Sequence, residues 1–228
     1  MPLYYNNAST TTAGPVTFDG TATDIPALGS QAAGAVGKAA DAGHVHPGRD
    51  SYLASSGTLG ETIPRAGQMN SPLSPTTQIL TMTAMLLPAG VTIGHLATGN
   101  STTAANTPTN WWFGLYDNNL NQLAVTADQT SAAWAGSTWK SLAVATIASG
   151  ASSTFTTTYT GLYYFGFMMK ATAVVNILGV LQNATTLIGQ APILAGTSDA
   201  AQTGPPAFPH TATALTPITT LLYGAALT

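Results

Sequence analysis

The sequence predicts an all-β protein in two parts, an extended N-terminal segment over residues 1–60 and an antiparallel, jelly-roll-like β-sandwich over 61–228. Three observations predict it. Apolar residues recur at period two in short runs from about residue 61 onward. Gly, Pro, Asn and Thr separate those runs, and no stretch shows a capped helix with one polar face. Residues 1–60, rich in Ala, Gly, Thr and Ser, show neither period. Such a segment has too little apolar area to offset roughly 1–2 kcal/mol of backbone entropy per residue. Partners or symmetry mates must order it if it is ordered at all.

The elements of the second part follow in order. "ILTMTAMLL" (79–87) places Leu80, Met82, Ala84 and Leu86 on one face and Ile79, Thr81, Thr83 and Met85 on the other. "NWWFGLYDNNLNQLAVTAD" (110–128) reads as a hairpin turning at Asp117-Asn118-Asn119, residues that tolerate positive φ. Segment 138–147 adds a strand. "SSTFTTTYTG" (152–161) sets Phe155 and Tyr159 against four threonines. "LYYFGFMMK" (162–170) is apolar on both faces, the pattern of a central strand covered on each side. Segment 172–181 reads as a strand, although a buried helix carries the same pattern, and "PITTLLYGAAL" (217–227) closes the chain. Two loops, 98–110 and 195–213, are long enough to be functional or disordered, and the first is the place to look for receptor or glycan contact.

Charge is the unusual quantity. The chain has five basic and eight acidic residues in 228, or 6% charged against roughly 25% in an ordinary soluble domain. Beyond residue 65 only Asp117, Asp128, Lys140, Lys170 and Asp199 remain. Charge discourages association, so such a head is expected to bury surface against copies of itself or to rely on Thr, Ser, Asn and Gln. A net charge of −3 with no basic stripe argues against nucleic acid as a partner. With no cysteine there is no disulfide framework and no thiolate metal site. The first ten residues, "MPLYYNNAST", lack a signal peptide's basic and apolar regions. The most apolar stretch, 171–193, is interrupted by Asn and Gln, so no membrane insertion is expected.

"GKAADAGHVHP" (37–47) carries two of the four histidines. In an extended chain His44 and His46 share one face, about 6.7 Å apart. Two imidazoles do not close a metal site. Completion within one chain would use His95 and His210 near Asp50, as in metal-dependent hydrolases, but the alternating βα barrel such enzymes use is not visible. Completion by symmetry needs three parallel chains, whose six nitrogens suit Fe(II) or another transition metal. A trimer neck in which the rings only stack or hydrogen-bond is the metal-free reading, and exposed inert histidines are the third.

Residues 32–47, "AAGAVGKAADAGHVHP", resemble the Ala/Gly-rich A-x-x-x-HVHP collar segment of bacteriophage tail fibres and minor tail proteins. "WFGLYDNNLNQLAVTADQTSAAW" and "TTTYTGLYYFGFMM" are similar in style to the jelly-roll knobs of phage fibres. The resemblance implies a homotrimeric structural protein of the virion, assembled in the host cytoplasm. Residues 1–60 would be its attachment and neck segment, docking on other phage structural proteins. His44 and His46 from three chains would hold one iron (Fe2+) per trimer, as in some members. One His pair and no shaft also fit a capsid decoration or head-fibre protein, and a carbohydrate-binding module is a further alternative.

Enzymatic signatures are missing: no Gly-x-Ser-x-Gly elbow, P-loop or Gly-x-Gly-x-x-Gly occurs. Asp117 is a turn residue, and nothing in the sequence pairs Asp128 with Asp199 as glycoside cleavage requires. The protein is therefore expected not to be an enzyme. Trp111 and Trp112 are consecutive on a strand, so one should face the core and the other outward, toward a neighbouring subunit in preference to a host surface glycan.

Overall fold

Strand alternation organises the polypeptide, and the computed structural model describes residues 57–64, 72–182 and 186–228. Every strand pairing among them is antiparallel. The first strands in chain order are β1 (Thr58–Glu61), β2 (Leu80–Leu87), β3 (Thr92–Ile93), β4 (His95–Gly99) and β5 (Asn110–Tyr116). β6 (Gln122–Thr126), β7 (Trp139–Ile147), β8 (Gly150–Ala151), β9 (Phe155–Thr156) and β10 (Gly161–Lys170) follow. β11 (Gly179–Leu181), β12 (Ala195–Ser198), β13 (Thr216–Pro217), β14 (Thr220–Leu222) and β15 (Ala225–Leu227) complete the set. No helix occurs among the described residues.

The strands form a bent, sandwich-like arrangement. One path of hydrogen-bonded neighbours runs β1-β15-β4-β7-β6-β5-β10-β2-β12-β13. β7 is the corner: Trp139–Ala143 pairs with β4, whereas Val144–Ile147 pairs with β6. A register shift between Val125 and Thr126 marks the place where the corner is turned. The two limbs enclose the main core. Leu59, Leu96 and Ala226 from one limb meet Phe113, Phe165, Phe167 and Met85 from the other. Trp111 and Trp134 lie 4.8 Å apart between ring centroids, and Phe113 lies 5.5 Å from Phe165.

β10 carries the both-face apolar pattern because two cores meet on it. Phe165 and Phe167 face the main core, while Tyr164 and Met168 belong to a second one with Leu80, Met82, Trp112 and Tyr116. The covering layer of that second core is not another sheet. Residues 199–215, a strap between β12 and β13, supply Phe208, Ala212 and Leu215. A third cluster of Ile63, Tyr223 and Ala225 gathers Leu178, Val180, Leu221 and Leu227 around it.

The strands expected at 79–87, 110–128, 138–147 and 162–170 are present as β2, β5–β6, β7 and β10. Asp117 makes the hairpin turn as expected. Its Oδ1 accepts the Asn119 and Asn121 amides at 2.8 Å each, and Oδ2 accepts Asn121 Nδ2 at 2.9 Å. The positive φ, however, falls on Leu120 (65°), not on Asn118 or Asn119.

Three expectations are corrected. Segment 152–161 is strand only at β9 and at Gly161, where β10 begins, because Phe155 pairs with Ile93 while Tyr159 leaves the ladder to stack on Tyr163 at 4.4 Å. Segment 172–181 is strand only at β11, with single bridges from Ala173 to Asn106 and from Ile177 to Leu73 and Asn100. The closing strand is split among β13, β14 and β15, since its pieces pair with β12, β11, and β4 with β1. β1 straddles the expected boundary at residues 60/61 and pairs with β15, so strand pairing of the head begins at Thr58.

Candidate functional site

Trp111 and Trp112 are both buried, 1% and 0% exposed, which corrects the expectation of one outward ring. Alternation does send them to opposite faces, but each face is a core. Trp111 packs on Trp134 and donates its indole N–H to the Ala132 carbonyl at 2.9 Å. Trp112 lies in the second core under the strap. Neither presents a surface to a subunit or a glycan. His44 and His46 lie outside the described residues. The other two histidines are engaged separately: His95 Nδ1 is 3.2 Å from the Thr228 carbonyl oxygen, and His210 pairs with Asp199.

That Asp199–His210 pair, spanning the strap, is the polar cluster that sequence reading missed. His210 Nε2 is 2.8 Å from Asp199 Oδ2, and because an ionised carboxylate only accepts, Nε2 carries the proton. The side chain of Asp199 is 7% exposed and that of His210 21%. Thr213 N–H donates to Asp199 Oδ1 at 3.0 Å, and Thr213 Oγ1 accepts the Asp199 amide at 3.2 Å. Burial alone raises the Asp199 carboxyl, but the Thr213 amide, the His210 imidazole and the Thr213 hydroxyl together hold it below its ordinary value.

The strap is clasped to the sheet on its other side as well. Gln122 N–H donates to the His210 carbonyl at 2.8 Å, Ala212 N–H to the Leu120 carbonyl at 2.9 Å, and Thr211 Oγ1 to Asn121 Oδ1 at 2.6 Å. Beneath it, Tyr116 lies across Gly114 and Gly166, a cross-strand pair. A methyl group on either glycine would come within 2.8 Å of the Tyr116 ring, so only glycine admits it. Burial pushes the Tyr116 phenol well above its ordinary value, and the Asp199 carboxylate adds to the rise.

What this cluster can do chemically follows from its hydrogen bonds. Ser198 stands beside Asp199 and His210, yet its Oγ donates to the Thr213 carbonyl at 2.7 Å and is not bonded to the imidazole. A nucleophile must face its base, so the arrangement is a clasp in place of a triad. Next to it, a groove of about 680 Å³ opens between β6, β7 and the strap, lined by Val125, Thr126, Thr146, Ile147, Pro206 and Phe208 without any charge. Among the described residues no group of three or more His, Asp and Glu is placed to hold a metal ion.

The clasp predicts a pH dependence. A carboxyl whose folded value is depressed stabilises the fold above the ordinary carboxylate range and loses that contribution as pH falls through its lower folded value. Stability should therefore decline on the acid side, and Asp199→Asn should flatten that part of the curve. Urea unfolding midpoints measured from neutral pH down through the carboxylate range check this; equal slopes for the two proteins would contradict it.

Loop 98–110 is tethered internally. Asn100 is buried and donates through Nδ2 to the Thr103 and Ala135 carbonyls at 3.0 Å each, while its Oδ1 accepts the Thr138 amide at 2.8 Å. Thr102, Thr103 and Ala104 remain exposed on the loop. No protein-family model, no curated protein and no solved structure matches the chain.

Proposed function

We propose that the protein is a structural component of a bacteriophage particle, a homotrimer of the minor tail or fibre type whose jelly-roll-like head projects from a neck. The observation that carries the assembly is the disposition of charge. All four acidic residues among the described residues are drawn into the fold: Asp117 holds a turn and Asp199 the strap. Asp128 accepts the Trp111 and Thr130 amides, and Glu61 accepts the Tyr223 hydroxyl at 2.7 Å. Lys140 lies over the Trp111 ring, 5.9 Å from its centroid. Little charge is left to keep copies apart.

Apolar side chains are meanwhile left outside. Trp139 is 46% exposed and adjoins the cluster built on Tyr223, the two rings lying 5.6 Å apart, and Leu181, 44% exposed, follows Val180 of that cluster along β11. Exposed aromatic and aliphatic side chains on a face of low charge suit contact with a second copy. The collar resemblance at 32–47 supplies the threefold axis: residues 1–60 attach to other phage structural proteins, and His44 and His46 from three chains offer six imidazole nitrogens, a donor set suited to Fe(II). Function is then mechanical. The neck sets the axis, the near-neutral heads close on one another, and the exposed loops face the host.

Light scattering on the intact chain should give about three times 23.1 kDa, with about one iron per three chains by elemental analysis. A metal-free trimer would retain the assembly and remove the iron. A monomer would overturn the reading and leave a free-standing carbohydrate-binding module as the alternative. Binding of the trimer to host cells or wall glycans places it on the tail; a trimer that binds neither belongs to the head shell.

A further inference from the structure

Four polar atoms in the second core have no protein partner: Tyr116 Oη, Trp112 Nε1, and both Nε2 and Oε1 of Gln122. Three of them belong to one cross-strand pair. Tyr116 and Gln122 are cross-strand partners and so share a face. Trp112 is on that same face of β5, and a carbon at Gly114 would stand 3.3 Å from the Tyr116 hydroxyl and 3.1 Å from Cζ3 of Trp112, so the benzo edge of the indole, not its N–H, walls the Tyr116 hydroxyl. The remaining orphans, Thr81 Oγ1 and Trp134 Nε1, face the main core.

Tyr116 is also the exception among buried tyrosines. Tyr164, on the same face, donates to the Ile193 carbonyl at 2.9 Å. On other faces Tyr163 donates to the Tyr159 carbonyl at 3.0 Å and Tyr223 to Glu61 at 2.7 Å. Three buried phenols find protein acceptors, as buried polar groups do. The fourth is the cross-strand neighbour of a glutamine whose amide has both polar atoms unmatched.

We propose that Tyr116 and Gln122, flanked by Trp112, hold a sealed water site between β5, β6 and the strap. The chemistry of the lining selects the guest. The amide oxygen only accepts, the amide N–H only donates, and the phenol does both, so the guest must accept and donate at once. An anion is disfavoured by the neighbouring Asp199 carboxylate, and a cation by the donors. The guest must also be small, because the strap is closed over these residues by the Gln122–His210, Ala212–Leu120 and Thr211–Asn121 bonds. Water meets all three conditions, with two to four polar partners as a buried water requires.

The proposal stands independently of how the chain assembles, and its test turns on a sign. If water bridges the two side chains, Tyr116→Phe and Gln122→Met each deprive it of a partner and lower Tm by roughly 2–4 °C. The double variant loses less than the sum, since the bridge can be lost only once. If the atoms are simply unpaired, removing them relieves a buried penalty and Tm rises. Direct evidence comes from the unsubstituted, nitrogen-15-labelled chain, in which the Gln122 amide protons should show exchange-independent cross-peaks to a long-lived water. A higher Tm for Tyr116→Phe overturns the proposal, as does the absence of those cross-peaks, whatever the melts show.

Discussion

Replacing Trp112 with alanine is expected to cost about 3–5 kcal/mol, as much as replacing Trp111. The two residues are neighbours on one strand and point to opposite faces, so in a two-layer sandwich with one solvated face they would differ sharply. Here they do not, because Trp112 is fully buried among Leu80, Met82 and Met168 with the strap above it. Truncating it removes the ring's transfer free energy and leaves a cavity between a sheet and a segment without regular strand. Unfolding in urea, followed by fluorescence of the remaining indoles, should show a lower midpoint at an unchanged slope. A shift within about 0.5 kcal/mol of the parent would mean that the ring faces solvent and that the strap is not seated.

Gly224→Ala is the second large effect, at about 3 kcal/mol, the upper end of what overpacking a core costs. Gly224 links β14 to β15, and both of its backbone groups bond to Thr62. Its N–H donates to Thr62 Oγ1 at 2.8 Å, and its carbonyl accepts the Thr62 amide at 2.9 Å. The backbone is thus held where it is. A methyl group there would come within 2.4 Å of Cγ and Cδ1 of Phe165. That ring cannot retreat, since Phe113 packs on it at 5.5 Å within the main core. A thermal melt should show Tm lower by roughly 6–12 °C, given about 2–4 °C per kcal/mol for a chain of this size. Gly189→Ala, where a methyl group would meet nothing within 4 Å, should leave Tm unchanged and serves as the control.

The contrast between these two sites and the acid-sensitive clasp shows where the fold keeps its stability. The main core is aromatic, enclosed by both limbs, and intolerant of one added carbon. The second core depends on a strap held by one carboxylate, a few backbone bonds and three apolar side chains. Local opening is easiest where few apolar contacts secure a segment. The strap is therefore the element expected to exchange amide hydrogens before β5 and β10 do.

Residues of β2, β5, β6 and β10 were legible in the sequence because period-two alternation states directly which side chains share a face. Even the double burial of β10 could be read, since both of its registers are apolar. Asp117 was legible too, as its carboxylate bonds within four residues. Alternation is silent on what covers a face, and that is why the expectation of one outward tryptophan fails: the cover of Trp112 comes from residues 208–215, about a hundred positions away. Asp199 and His210 looked unrelated for the same reason, being brought together only when the strap closes on the sheet. The pieces of 217–227 share one apolar pattern but pair with different strands, a choice made by long-range register. The sequence by itself determined an all-β, charge-poor chain and the faces of its longest strands, because those depend on neighbours in the chain. Only the tertiary structure decided the strap, its clasp and the second core, because those depend on contacts between segments that local pattern does not encode.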